Sequence, residues 1–132
     1  MTAVPHSPSH RNPRTTEEVF HDHLRKRQAG DVEGDIRENY DESVVLLTGT
    51  GIYRGHEGVR ESAKELEYYL PDANFEYRTT RVAAEYAFLE WHGRSHAGEV
   101  RDGTDAFVIR NGRIVAQMIH YTVLEDDRQP GS

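Results

Sequence analysis

The chain has 132 residues, the size of one domain, and at 36% hydrophobic and 30% charged it can fill a core. A fibre and a wholly disordered chain are excluded. Sixteen Lys and Arg against 23 Asp and Glu leave a net charge of −7. No basic cluster is present to release counterions from a phosphate backbone, so nucleic acid is not an expected partner. The absence of cysteine excludes disulfides, thiolate nucleophiles and Cys-bound metals. No apolar run approaches the ~20 residues that cross a bilayer, and the opening MTAVPHSPSHRNPRT lacks the apolar core of a secretory signal. A soluble cytoplasmic protein with no membrane association is the expectation.

Residues 1–14 carry three of the five prolines and little to bury, and residues 125–132 are polar and end in Pro-Gly-Ser. Both read as disordered tails around one domain, 15–124. His6 and His10 in the first tail read as solvated. Thr15-Thr16-Glu17-Glu18 fits a capping box, and Val19, Phe20, His23 and Leu24 continue it as a helical stripe. Gly30 suits the left-handed residue that ends this helix. Asp31 can cap a second helix whose inward face is Val32, Ile36 and Tyr40. Ser43–Thr48 is apolar and β-branched, a buried strand; Gly49-Thr50-Gly51 turns the chain into a short return strand, Ile52–Arg54. Val59, Ala63, Leu66 and Leu70 mark a third helix, stopped by Pro71. Thereafter the period becomes two: Phe75, Tyr77 and Thr79 alternate with polar residues, and strands follow at Tyr86–His92, Gly98–Arg110 and Arg113–Val123. Three helices, a hairpin and an antiparallel meander make an α+β chain.

The run Phe20…His23-Leu24…Ala29-Gly30-Asp31…Tyr40-Asp41-Glu42-Ser43-Val44 resembles the opening of the nuclear-transport-factor-2-like superfamily. Gly55-His56-Glu57-Gly58-Val59-Arg60 resembles that group's approach to its third helix, and Asp105–Ile114 resembles its last hairpin. The branch is that of the SnoaL-like polyketide cyclases and ketosteroid isomerases. The resemblance implies a cone-shaped, curved antiparallel sheet wrapped around a long N-terminal helix. It also implies a mouth that takes a small apolar ligand, and a homodimer through the outer sheet face. Isomerases, cyclases, dehydratases and non-catalytic modules share the shape, so the pocket must decide the activity.

His23 interrupts the apolar stripe of helix one. It sits seven before Gly30, where the resemblance to ketosteroid isomerases implies the substrate-binding tyrosine. It reads either as an acid, base or donor, or as a core histidine satisfied by a backbone carbonyl. His21 points to the opposite side, so a His21/His23 metal pair fails on geometry; no metal and no cofactor are expected. Asp105 shares its strand face with Phe107 and Ile109, where ionisation is costly. The resemblance implies a neutral acid at this place that donates to an oxyanion. The other reading is an edge carboxylate paired with Arg101. Asn111-Gly112 allows two registers of the last strand. A two-residue turn pairing Arg110 with Arg113 would turn Met118 and His120 inward. A three-residue loop with a bulge would turn in Val115, Gln117, Ile119 and Tyr121 instead, and the resemblance favours this second register.

Trp91, inward by parity, is either a stacking wall or core. The carboxylate bases of related branches are missing: alignment puts Thr48 and Ile119 at those places, and a threonine hydroxyl cannot take a carbon-bound proton unaided. The expected site is therefore His23, Asp105 and Tyr121 for chemistry, with Thr48, Trp91, Phe107, Gln117 and Ile119 around the substrate. It would carry cofactor-free isomerase, lyase or cyclase chemistry, or serve a non-catalytic binding or dimerisation module. His23 and Asp105 are expected to face one another across the pocket mouth.

Overall fold

The computed structural model describes residues 14–125. The expected tails, with His6 and His10, lie outside them except for Arg14 and Glu125. The elements run α1 (Thr16–Gln28), α2 (Val32–Asn39), β1 (Tyr40–Thr48), β2 (Gly51–Arg54), α3 (Gly55–Tyr69), β3 (Asn74–Ala83), β4 (Tyr86–Ser95), β5 (Gly98–Arg110), β6 (Arg113–His120) and β7 (Leu124–Glu125). The class is α+β. No described helix is long and apolar enough to cross a membrane.

The helix ends follow local chemistry. The Thr15 hydroxyl accepts from the Glu18 amide at 3.1 Å, and the Glu18 carboxylate accepts from the Thr15 amide at 2.8 Å. Gly30, at φ 76°, takes the left-handed turn between α1 and α2. The Asp31 carboxylate then caps α2 by accepting from the Gly34 amide. Tyr40 does not continue α2: its φ and ψ are extended, and β1 begins there, three residues earlier than the apolar run suggests.

The main sheet runs in the order β2-β1-β6-β5-β4-β3, and β7 pairs with β5. From β3 to β6 it is an antiparallel meander, but β1 lies parallel to β6. The sheet is therefore mixed rather than wholly antiparallel, and β2 and β3 leave it open. Three single-residue bulges bend its antiparallel part, and the β1–β6 pairing has a further irregularity between Tyr40 and Val45. One extra residue falls between Tyr77 and Thr79 on β3, one between Val100 and Gly103 on β5, and one at Val115 on β6. Each locally raises the twist and bends its strand, and together they curve the sheet around α1. The core lies in that concavity, where Val19, Phe20 and Leu24 of α1 meet Leu89, Phe107 and Ile109.

The Val115 bulge decides the register of β6. Arg110 does pair with Arg113 across Asn111-Gly112, both at positive φ, so the hairpin is the two-residue turn. The bulge two residues later then shifts the remainder, pairing Phe107 with Gln117 and Asp105 with Ile119. Gln117 is buried, while Met118 and His120 face outward. Both turn geometries considered from sequence thus contribute a part: the turn of the first and, beyond Val115, the inward set of the second.

Candidate active site in the concave face

Between α1, α3 and the concave sheet face lies a cavity of about 440 Å³. One wall is apolar, with Leu46, Val59, Ala63, Leu66 and Phe75. The other gathers polar groups from α1 and the central strands: His23, Arg27, Tyr40, Asp105, Gln117 and Tyr121.

His23 is 4% exposed, on the inner face of α1. Its ring lies edge-on to Phe107 and Tyr40, at centroid distances of 5.1 and 5.9 Å. Its Nδ1 is 2.7 Å from Asp35 Oδ2. The histidine partner is therefore Asp35 on α2, not Asp105. Asp35 is fully buried, and its Oδ2 also accepts from Arg27 Nε at 2.7 Å. Its Oδ1 accepts from the Asn39 amide at 2.8 Å, and that amide also donates to Asp22. Burial alone would raise the Asp35 carboxyl. The charge and hydrogen bond of His23, followed by Arg27 and Asn39, outweigh it and hold the group below its ordinary value. In its neutral form the imidazole donates its Nδ1–H to Asp35, and Nε2 is then the acceptor. Arg14, assigned to the tail on composition, locks the back of this network: it donates to Asn39 Oδ1, Glu38 O and Gly112 O.

Asp105 forms a second cluster in the same cavity. Trp91 Nε1 donates to its Oδ1 at 2.9 Å and Gln117 Nε2 to its Oδ2 at 2.7 Å, while the Tyr40 hydroxyl donates to Gln117 Oε1 at 2.6 Å. Among the described residues no cation pairs with it; Arg101, the alternative partner, pairs with Glu99. Desolvation raises the Asp105 carboxyl above its ordinary value, against the pull of the Trp91 and Gln117 hydrogen bonds. The two aspartates thus depart in opposite directions. Burial pushes the Tyr121 phenol up to about 12, and among the described residues it has no hydrogen-bond partner.

His23 and Asp105 therefore share the cavity without a bond between them. Trp91, Gln117, Ile119 and Tyr121 line it as well. Two expected substrate contacts do not. Thr48 lies on the inward parity of β1 but at its far end, where its hydroxyl accepts from the Thr50 and Gly51 amides in the β1–β2 turn. Phe107 is 1% exposed and roofed by Phe20 and His23, so it supports the site from beneath. Sequence reasoning missed Asp35, Asn39 and Arg27. Arg27 stands four residues after His23 on one face of α1. Asp35 and Asn39 have the same spacing on α2, one position before Ile36 and Tyr40, and that polar pair was the available signal. Among the described residues no three His, Asp or Glu side chains converge as a metal site.

The sequence and the fold match known proteins. The family model described as SnoaL-like domain matches residues 18–117. The chain belongs to the SnoaL-like domain family. No curated protein matches its sequence. Solved structures with the SnoaL-like shape do. A candidate SnoaL-like polyketide cyclase from Mesorhizobium loti superposes with a TM-score of 0.60 at 14% identity, covering 82% of this chain and 100% of that one. A candidate ketosteroid isomerase from Kribbella flavida gives 0.68 at 10% identity, covering 81% and 77%. TerC, co-crystallised with polyporic acid, gives 0.65 at 14% identity, covering 81% and 91%. At these identities the likeness is one of fold alone.

Proposed function

We propose that the cavity binds a small, largely apolar molecule and moves a proton on it, in cofactor-free chemistry of the isomerase, lyase or cyclase kind. The observation that carries this reading is the His23–Asp35 pair at 2.7 Å in the wall of an otherwise half-apolar cavity. Asp35 holds the Nδ1 proton, so Nε2 can take a proton from a substrate carbon. The negative charge that develops on a substrate oxygen then needs a donor. Protonated Asp105 offers its O–H, with Gln117 and Trp91 fixing the carboxyl plane, and the unpartnered Tyr121 hydroxyl offers a second. The cyclase- and isomerase-named neighbours and the complex of TerC with polyporic acid support a ligand-binding cavity of this shape. The working unit in this reading is a homodimer joined through the convex sheet face.

The uncharged probe 5-nitrobenzisoxazole tests the base. Its ring opens when one carbon-bound proton is removed: the electrons pass through the new nitrile and break the N–O bond, releasing a coloured phenolate. The expected result is ring opening faster than in buffer, falling about 100-fold in His23→Gln while the far-ultraviolet dichroism stays native. Equal rates in wild type and His23→Gln would overturn the catalytic reading. The second reading, a binding module without catalysis, is favoured by Ile119 and Thr48 standing where the related branches have their carboxylate. Saturable binding of the probe without ring opening supports that alternative.

A further inference from the structure

Arg27 stands one helical turn beyond His23, in the wall of the cavity, with its side chain 23% exposed. A guanidinium has five N–H donors in a planar fork. Among the described residues only Nε is in an ion pair, with Asp35 Oδ2. Asp35 cannot close that fork. Its Oδ2 is shared with His23, and its Oδ1 is held by Asn39. The other acidic groups around the cavity leave the fork open as well. Both Asp105 oxygens accept from Trp91 and Gln117, while Glu67 and Asp72, on the rim, are joined to one another through the Asp72 amide. The Tyr40 phenol, whose proton goes to Gln117, can accept one Nη hydrogen on its oxygen, and among the described residues no ion pair engages the rest of the Nη edge. A half-buried cation with open donors is best satisfied by an acceptor that displaces the water there. Leu46, Val59, Ala63, Leu66 and Phe75 give the cavity an apolar stretch, beside which Ser62 and Glu67 of α3 also line it.

Resting on the reading that this cavity binds a small, largely apolar molecule, we infer that its ligand is a carboxylate. The carboxylate sits on the Nη edge of Arg27, and the apolar body lies along the α3 wall. A planar carboxylate matches the guanidinium fork and forms paired charge-assisted hydrogen bonds, among the strongest available to a side chain. Arg27 is then the group that selects the ligand, and His23, on the same helix face, meets the atoms next to the acid. The raised Asp105 carboxyl fits this use, since it weakens one of the negative charges, beside Glu67 and Asp72, that would oppose the incoming anion.

A matched pair of probes tests this, read through the emission of Trp91, the chain's single tryptophan and part of the cavity wall. The probes are 4-cyclohexylbutanoate and its amide, 4-cyclohexylbutanamide, equal in shape and different in charge. Wild type is expected to bind the carboxylate at least tenfold more tightly than the amide. Arg27→Gln should remove the preference, and Arg27→Lys, which keeps the charge and loses the fork, should retain only part of it. If Arg27→Gln fails to fold, Arg27→Lys decides. Equal binding of the two probes by wild type overturns the inference and leaves the cavity reading standing. A preference that survives unchanged in Arg27→Lys also overturns it. Absence of binding by either probe overturns it too, whereas ring opening of the uncharged benzisoxazole judges the base independently.

Discussion

Asp35 and Asp105 face the same cavity, yet one carboxyl is held low and the other pushed high. Both are desolvated; what separates them is contact with charge. Asp35 touches His23 and Arg27, whereas Asp105 touches only neutral donors. The signs of their stability contributions follow. Asp35 has a folded value below its unfolded value of ~3.9, so its contribution is complete above that value and is lost as pH falls through the folded one. Asp35→Asn should therefore cost about 3–5 kcal/mol near neutral pH, the usual penalty for breaking a buried pair, and much less in acid. Asp105 has a folded value above ~3.9, so stability is lost as pH rises through the window between the two values. Asp105→Asn removes that loss, and its stability relative to wild type should climb from pH 4 to pH 7. Urea unfolding at a series of pH values checks both; parallel wild-type and Asp105→Asn curves would contradict the opposite-sign argument.

At the scale of elements, the β5 bulge beside Gly103 and the absence of a side chain there let Trp91 lie flat across the strand pair. A Cβ on residue 103 would sit 2.3 Å from two indole carbons. The ring cannot yield without losing its hydrogen bond to Asp105. Gly103→Ala should cost roughly 1–3 kcal/mol by overpacking and shift Trp91 emission to the red as the indole is displaced toward water. Unchanged emission would show that the strand gives way instead. Elements of this kind also mark what the sequence discloses. Thr15, Gly30, Asp31 and Pro71 punctuate the helices through local chemistry, and the parity of Leu89, Trp91, Phe107 and Ile109 faces the meander inward. The Val115 bulge has no local marker, because Val115-Ala116 looks like ordinary strand and the shift arises from pairing with β5. The parallel contact of β1 with β6 joins segments some seventy residues apart, beyond the reach of any local pattern. Asp35 escaped because the α2 face was judged on its apolar residues alone, and Thr48 was included because alignment puts it where related branches hold their base, although it does not line the cavity.

For the whole molecule, the convex face of the sheet carries two apolar rows. Register aligns Ile52, Leu47, Met118, Ala106 and Phe88 in one row across five strands, and Val45, Ala116, Val108 and Tyr86 in the next. Ile52 is 62% exposed, Tyr86 55%, Leu47 46% and Met118 36%, so no described element covers these rows. Single exposed hydrophobics are ordinary, but contiguous rows of this breadth mark an interface. A standard interface takes about 800 Å² from each partner, and a five-strand face is broad enough to supply it. The cavity opens on the opposite side, so assembly and ligand binding should be separable. Sedimentation at micromolar concentration should give a dimer. Met118→Lys, which places a charge in the middle of the first row, should shift the population to monomer while binding of 4-cyclohexylbutanoate, read through Trp91, stays within about twofold of wild type. A monomeric wild type would refute the interface. A dimer that tolerates Met118→Lys would move it to another face.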